Sequence, residues 1–299
     1  MNQTGSGLLS VVPGITASTA LCAIFGSPVG HSLSPVVHNA GFAAAGLDYA
    51  YLAFDVPDIA AGLAAARTLR VRGLSITIPH KETVLSLLDE VDPLAVSMGA
   101  VNTVVNDGGR LVGYNTDIDG VSGALEAWQV ASDGRHLVIL GAGGAARAAL
   151  FGALRRGKPE VVWIVARNPG RAEALASTAR SVASAPVHVL PDLAGSGLAQ
   201  RDALIINATP VGMHPKISGT PVPADLLGAR HVVFDLVYNP LMTRLLREAA
   251  AAGARVIGGD EMFMRQAFRQ FVLWTGQAAP RHAMAEAFRQ AITARAVPG

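Results

Sequence analysis

His136-Leu137-Val138-Ile139-Leu140-Gly141-Ala142-Gly143-Gly144-Ala145-Ala146-Arg147 is a mostly apolar run that breaks into glycines and continues as an Ala/Leu-rich segment to Arg156. An apolar run of this length, stopped by glycine, reads as a buried strand, and the segment after it as a helix. The turn between them has G-x-G-x-x-A spacing. Gly141 permits the sharp turn, Gly143 lets the backbone approach a pyrophosphate, and Ala146 allows the helix to pack closely on the strand. Ala142, Gly144 and Ala145 belong to the same turn, at a helix N-terminus whose free N–H groups favour an anion. Glycine spacing alone is a weak signal. With a strand before it and a helix after it, the pattern predicts a dinucleotide-binding unit.

Downstream, short apolar runs recur at Val161–Val165, Val187–Leu190, Ala203–Asn207, Val232–Leu236 and Arg255–Ile257, separated by helical segments or loops. Alternation of this kind predicts a parallel, doubly wound sheet. The residues after its second strand select the nucleotide. An NAD site usually places Asp or Glu there to hold the ribose 2′-hydroxyl. Here the chain reads Val165-Ala166-Arg167-Asn168, with Arg171 a turn later. Two guanidinium groups suit a 2′-phosphate, so NADP is expected, with NAD still possible. The bland alternative is a pair of ordinary surface arginines.

Upstream lies a second α/β unit. Strands are expected at Ala20–Phe25, Tyr49–Phe54 and Gly73–Ile78, with helices from Ser34 to Gly46 and from Pro57 to Arg70. Asn106-Asp107-Gly108-Gly109 between Ala100–Val105 and Arg110–Tyr114 is a hairpin signal. In the loop Gly26–Pro35, Ser34 reads as an N-cap with Pro35 in the first turn. Ser32 has no capping duty and is free for a polyol ligand. Lys81 follows Thr77-Ile78-Pro79-His80 and is expected to open a helix through Leu88, where the partial positive charge of the helix N-terminus eases proton release. Asp117 ends Gly113-Tyr114-Asn115-Thr116-Asp117 and can cap the helix Ile118–Gln129. A lysine and an aspartate at the ends of neighbouring strands make a proton-transfer pair. Two last helices, the first from Gly259 to about Gly276 and the second over Arg281–Ala294, find the second sheet already complete and should pack back on the first unit. The expected division is therefore residues 1–117 completed by 260–299, and 118–259.

The chain has 299 residues, 51% hydrophobic and only 15% charged, enough for two packed domains. Its net charge of +2 is too small to imply nucleic acid. The lone Cys22 can form no internal disulfide and no cysteine-ligated metal site. The first charged residue is Asp48, yet Pro13, Gly14, Gly26, Pro28 and Gly30 break any spanning helix there, and no basic segment precedes it. A loose arm over residues 1–18, no membrane association and a cytoplasmic location are expected.

Together these motifs resemble the shikimate dehydrogenase family from about Ile15 to Gly276. The resemblance rests on Ser32 and Ser34, on Thr77–Lys81, Gly99-Ala100-Val101-Asn102-Thr103, Asn115-Thr116-Asp117, Gly141–Arg147, Asn207-Ala208-Thr209-Pro210-Val211-Gly212-Met213 and the helix of Gln266. It implies reversible hydride transfer between NADPH and 3-dehydroshikimate, giving shikimate. By the same resemblance, Ser32 and Ser34, assisted by Tyr238, bind the substrate carboxylate. Thr77, Lys81, Asn102, Asp117 and Gln266 hold the ring hydroxyls, and Lys81 with Asp117 handles the proton. Thr209, Met213 and Gly259 line the nicotinamide.

Two departures stand out. Ala166-Arg167-Asn168 replaces the family's Asn-Arg-Thr. Val237-Tyr238-Asn239-Pro240 and Gln270–Gly276 look more like the quinate/shikimate branch, whereas Ser34 favours shikimate. A methylene-tetrahydrofolate dehydrogenase lacks the Ser-x-Ser loop, and a non-catalytic ligand sensor has no need of Lys81 and Asp117 together. Both monomers and homodimers occur on this frame.

Overall fold

The computed structural model describes residues 14–296, so most of the expected arm lies outside the described residues. The chain builds two six-stranded sheets. The first contains β1 (Ala20–Gly26), β2 (Tyr49–Asp55), β3 (Gly73–Ile76), β4 (Glu90–Val91), β5 (Thr103–Asp107) and β6 (Arg110–Tyr114), in the order β2-β1-β3-β5-β6-β4. Its β1–β2 and β1–β3 pairs are parallel; β3–β5 and the hairpin β5–β6 are antiparallel. The hairpin turns on Gly108 (φ 61°) and Gly109 (φ 102°), as the sequence predicts. The second sheet contains β7 (His136–Leu140), β8 (Val161–Val165), β9 (Val187–Leu190), β10 (Ala203–Asn207), β11 (His231–Asp235) and β12 (Arg255–Ile257). It is wholly parallel, in the order β12-β11-β10-β7-β8-β9. The order reverses between β7 and β10, and a doubly wound sheet opens its ligand crevice at that point.

The helices are α1 (Ser34–Ala44), α2 (Ile59–Thr68), α3 (Pro93–Met98), α4 (Asp117–Ala127), α5 (Gly144–Leu154), α6 (Pro169–Val182), α7 (Arg244–Ala251), α8 (Gly259–Thr275) and α9 (Arg281–Ala296). Strand alternation distributes the core. Leu137 and Ile139 of β7 pack into one cluster with α4, α5 and α6, while Val138 and Leu140 pack into another with α7. On β1, Cys22 and Ile24 face α1, α8 and α9, whereas Ala23 and Phe25 face α2. Both sheets are thus covered on both faces, which explains their near-continuous apolar strands. As expected, α8 and α9 return to the first sheet. Trp274 of α8 is fully buried and donates its indole N–H to Val104 O at 3.1 Å.

Four local expectations are corrected. β3 stops at Ile76 rather than Ile78; the chain then turns, with the His80 N–H donating to Thr77 O at 2.9 Å. Pro79 has no N–H for a ladder, so the strand cannot continue through it. No α-helix opens at Lys81; a five-residue 3-10 turn runs from Thr83 to Leu87 instead. The N-cap of α1 is Leu33, with Ser34 already helical. Asp117 is the first residue of α4 and does not cap it; Thr116 is the N-cap residue, and its side chain makes no capping hydrogen bond.

Candidate active site

Two cavities meet between the sheets. The smaller, about 240 Å³, is lined by all eight residues expected to touch substrate: Ser32, Ser34, Thr77, Lys81, Asn102, Asp117, Tyr238 and Gln266. The larger, about 1380 Å³, runs along the carboxyl ends of the parallel strands and is lined by Gly141–Ala145, Arg167, Arg171 and Thr209. Lys81 and Ala145 line both. Gly259 belongs to the smaller cavity. Met213 is brought into neither wall and is 46% exposed.

At the junction, Lys81 Nζ donates to Asp117 Oδ2 at 2.6 Å. The other carboxylate oxygen, Oδ1, accepts from Asn102 Nδ2 at 2.8 Å. The Asn102 amide is itself fixed, because its Oδ1 accepts the Thr116 backbone N–H at 2.7 Å and the Thr103 hydroxyl at 2.8 Å. β3 and the turn after it deliver Lys81, β6 leads to Asp117, and the approach to β5 delivers Asn102. The macrodipole argument for Lys81 does not apply here, since no α-helix N-terminus lies at that position. What surrounds the ammonium is a carboxylate held on its far side by an amide.

At the opposite end of the small cavity, Ser32 is not free of local duty: its Oγ accepts the Ser34 N–H at 3.2 Å. Arg295 of α9 donates to His31 O at 2.6 Å, tying the last helix to this loop. Tyr238 packs against Phe263 with ring centroids 5.1 Å apart, and burial raises its hydroxyl pKa.

Sequence reasoning missed Ser75 and Gln270, which also line the small cavity. Both signals were present in the chain. Ser75 lies two residues before Thr77 along an extended segment, on the same face. Gln270 is one helical turn beyond Gln266, at i+4.

In the larger cavity, Gly141 has φ +109°, a conformation suited to glycine, and a Cβ there would meet Ala208 O at 3.2 Å. Cβ atoms at Gly143 and Gly144 would meet nothing within 4 Å, so the backbone at the start of α5 faces open space wide enough for a pyrophosphate. Among the described residues neither Arg167 nor Arg171 forms an ion pair. The Asn168 side chain accepts the Arg171 N–H at 3.0 Å and caps α6, which holds both arginines at the β8 end of the groove. Thr209 is oriented by Asn207, whose Oδ1 accepts its hydroxyl at 2.7 Å. The donor set therefore fits a dinucleotide carrying a 2′-phosphate.

Residues 24–104 match the family described as the shikimate dehydrogenase substrate binding domain, and residues 260–287 the shikimate 5'-dehydrogenase C-terminal domain. A shikimate dehydrogenase (NADP(+)) of Moorella thermoacetica is 45% identical over 285 residues, 94% of this chain and 96% of that one. Among solved structures, the shikimate 5-dehydrogenase of Thermus thermophilus, in complex with NADP(H) and shikimate, superposes with a TM-score of 0.80. It is 40% identical and covers 91% of this chain and 99% of its own. The quinate dehydrogenase of Corynebacterium glutamicum in complex with NAD gives 0.84 at 33% identity, with 91% and 99% coverage. Identity of this extent across nearly the full length of both sequences, over a shared two-sheet architecture, shows that the chain belongs to the shikimate dehydrogenase family.

Proposed function

We propose that the protein catalyses the reversible NADPH-dependent reduction of 3-dehydroshikimate to shikimate. One observation carries the reading: the Lys81–Asp117 ion pair lies where the small polar cavity opens into the dinucleotide groove. A substrate carbonyl held in the small cavity is thereby within reach of both a proton donor and a nicotinamide. Bound in the groove, the nucleotide supplies the hydride. The work of the chain is to hold the ring, exclude water and deliver a proton to the oxygen on which negative charge develops.

In this reading the Lys81 ammonium donates that proton and recovers it from solvent, while Asp117 Oδ2 keeps the ammonium aimed at the carbonyl. Ser32, Ser34 and Tyr238 receive the substrate carboxylate; Thr77, Asn102 and Gln266 hold the ring hydroxyls. Gly141, Ala142, Gly143, Gly144 and Ala145 cradle the pyrophosphate, Arg167 and Arg171 take the 2′-phosphate, and Thr209 and Gly259 flank the nicotinamide. Met213 lies outside both walls and is assigned no contact with the ring in this reading. Residues 1–117 with 260–299 form the substrate domain and 118–259 the nucleotide domain. The division is supported by the two separate sheets and by the return of α8 and α9 to the first. Every residue named in this reading belongs to this chain, and the reading holds for a monomer and for a homodimer alike. The reading carries a cytoplasmic location, where NADPH is kept reduced.

The test is a four-way steady-state assay of shikimate and quinate, each with NADP and NAD, in the wild type and in Arg167→Ala. We expect kcat/KM to be highest for shikimate with NADP. Losing a charge-assisted contact of about 1.5–3 kcal/mol should raise the NADP KM of the variant on the order of 10- to 100-fold and leave NAD little changed. Comparable turnover of quinate or of NAD would move the protein to the broader quinate/shikimate branch. No turnover in any combination would make it a ligand sensor.

A further inference from the structure

We propose that Gln270 is a positioning residue for the Lys81–Asp117 pair, acting at a distance through a hydrogen-bond chain that runs in one direction. The inference rests on the reading of Lys81 and Asp117 given above and extends it to a residue on α8 that touches neither. Gln270 is 1% exposed and its side-chain amide is fully engaged. Its Oε1 accepts from Ser75 Oγ at 3.1 Å and from His38 Nε2 at 3.3 Å. Its Nε2 donates to Thr103 Oγ1 at 2.9 Å and, more weakly, to Asn102 O at 3.4 Å.

One direction satisfies every donor along the chain. Burial lowers the His38 pKa to about 3, so the ring is neutral and its Nε2 carries the proton that Gln270 Oε1 needs. His38 Nδ1 is correspondingly bare and has no partner. Tyr51 donates to Ser75 Oγ at 2.6 Å, which leaves the Ser75 proton for Gln270. Gln270 Nε2 takes one lone pair of the Thr103 hydroxyl, whose proton goes to Asn102 Oδ1 at 2.8 Å, the shorter of its two contacts, the other being Thr116 Oγ1 at 3.0 Å. That bond, with the Thr116 N–H, leaves Asn102 only one orientation, its Nδ2 toward Asp117 Oδ1 at 2.8 Å. The relay is therefore Tyr51 to Ser75 to Gln270 to Thr103 to Asn102 to Asp117. A flipped or absent amide at position 270 frees the Thr103 hydroxyl to rotate toward Thr116 Oγ1, 3.0 Å away; Asn102 Oδ1 is then held by Thr116 alone, and the amide's grip on the carboxylate loosens. Buried polar chains act as units in this way, since each unmet donor or acceptor is costly.

Gln270→Met keeps length and removes the polar end, and Gln270→Glu keeps shape and removes the donor. Thr103→Val breaks the next link with little change in volume. Each single variant should lower kcat for shikimate oxidation by about 10- to 100-fold, the scale of a catalytic group displaced by about 1 Å, with KM for NADP unchanged. The double variant Gln270→Met/Thr103→Val should lose no more than the worse single, because both act through Asn102. Wild-type kcat retained in folded Gln270→Met and Gln270→Glu overturns the proposal, and so do losses that multiply in the double variant. Lys81→Met is the control. If it keeps activity, the reading of the site fails; if it is inactive while the Gln270 variants are not, only this inference fails.

Discussion

Lys81 and Asp117 are 36 positions apart and meet at 2.6 Å, the lysine side chain 26% exposed and the aspartate 10%. Neither side chain has a local reason to be where it is. Lys81 sits in a turn and Asp117 at the first position of α4, where a side chain is free to point away from its own helix. The carboxylate is gripped from both sides, so removing the lysine leaves Asp117 with only the amide of Asn102. Replacing Lys81 by Met should lower kcat by about 10²- to 10⁴-fold, the range associated with a lost general acid, with a much smaller change in shikimate KM. Steady-state kinetics on a variant with wild-type circular dichroism checks this. A variant keeping more than a tenth of the wild-type kcat would remove Lys81 from its role as proton donor.

At the scale of elements, α8 bridges the two sheets. Its first turn packs near the end of β11: a Cβ on Gly259 would lie 2.5 Å from Leu236 O. Its middle carries Gln266 and Gln270 into the small cavity, and its last turn buries Trp274 against the first sheet. Contact there is close enough that β3 must begin with glycine. A Cβ on Gly73 would collide with the Trp274 ring, a fully buried side chain whose indole N–H is also committed to Val104 O. Gly73→Ala should therefore destabilise the fold by about 1–3 kcal/mol through overpacking, read as a lower urea midpoint with an unchanged m-value. A midpoint equal to wild type would mean that Trp274 has room to move, and the rigidity assigned to this end of α8 would go with it. α4 links the two sheets through the same kind of approach, packing Gly120 against Met262 O of α8 at 2.8 Å from an added Cβ.

For the whole molecule, the titration of one buried carboxyl makes stability depend on pH. Asp235 at the end of β11 accepts from Thr243 Oγ1 at 2.6 Å, Asn207 Nδ2 at 2.9 Å and the Val237 N–H at 3.1 Å. Burial nonetheless outweighs these donors and raises its pKa from 3.8 to about 6. The folded protein thus holds a proton that the unfolded chain releases. The resulting stabilisation is full below about pH 3.8 and is lost as the pH rises through about 6. A shift of about two units corresponds to about 3 kcal/mol. Measured as wild type minus Asp235→Asn, unfolding free energy should fall by up to that amount between about pH 4 and pH 7.5. A difference that stays flat across this range would show that Asp235 is already ionised in the fold at the acid end.

The two-sheet architecture, the run from His136 to Arg147 and the hairpin at Gly108-Gly109 were legible in the chain because each rests on local chemistry. Apolar alternation, glycine at positive φ and proline's missing N–H act within a few residues, whatever the rest of the molecule does. Lys81, Asp117 and the two serines were singled out because they stand in short motifs. Ser32's bond to its own loop, the missing helix at Lys81, the exposed position of Met213 and the role of Gln270 were not legible. Ser32's bond spans only two residues and is set by the turn of its own loop; the placements of Lys81 and Gln270 depend on how distant segments pack, α4 against the turn after β3 and α8 against β5. Hydrogen bonds have strict distances and directions, and side chains 195 residues apart, such as Ser75 and Gln270, acquire them only when the sheets and helices have packed.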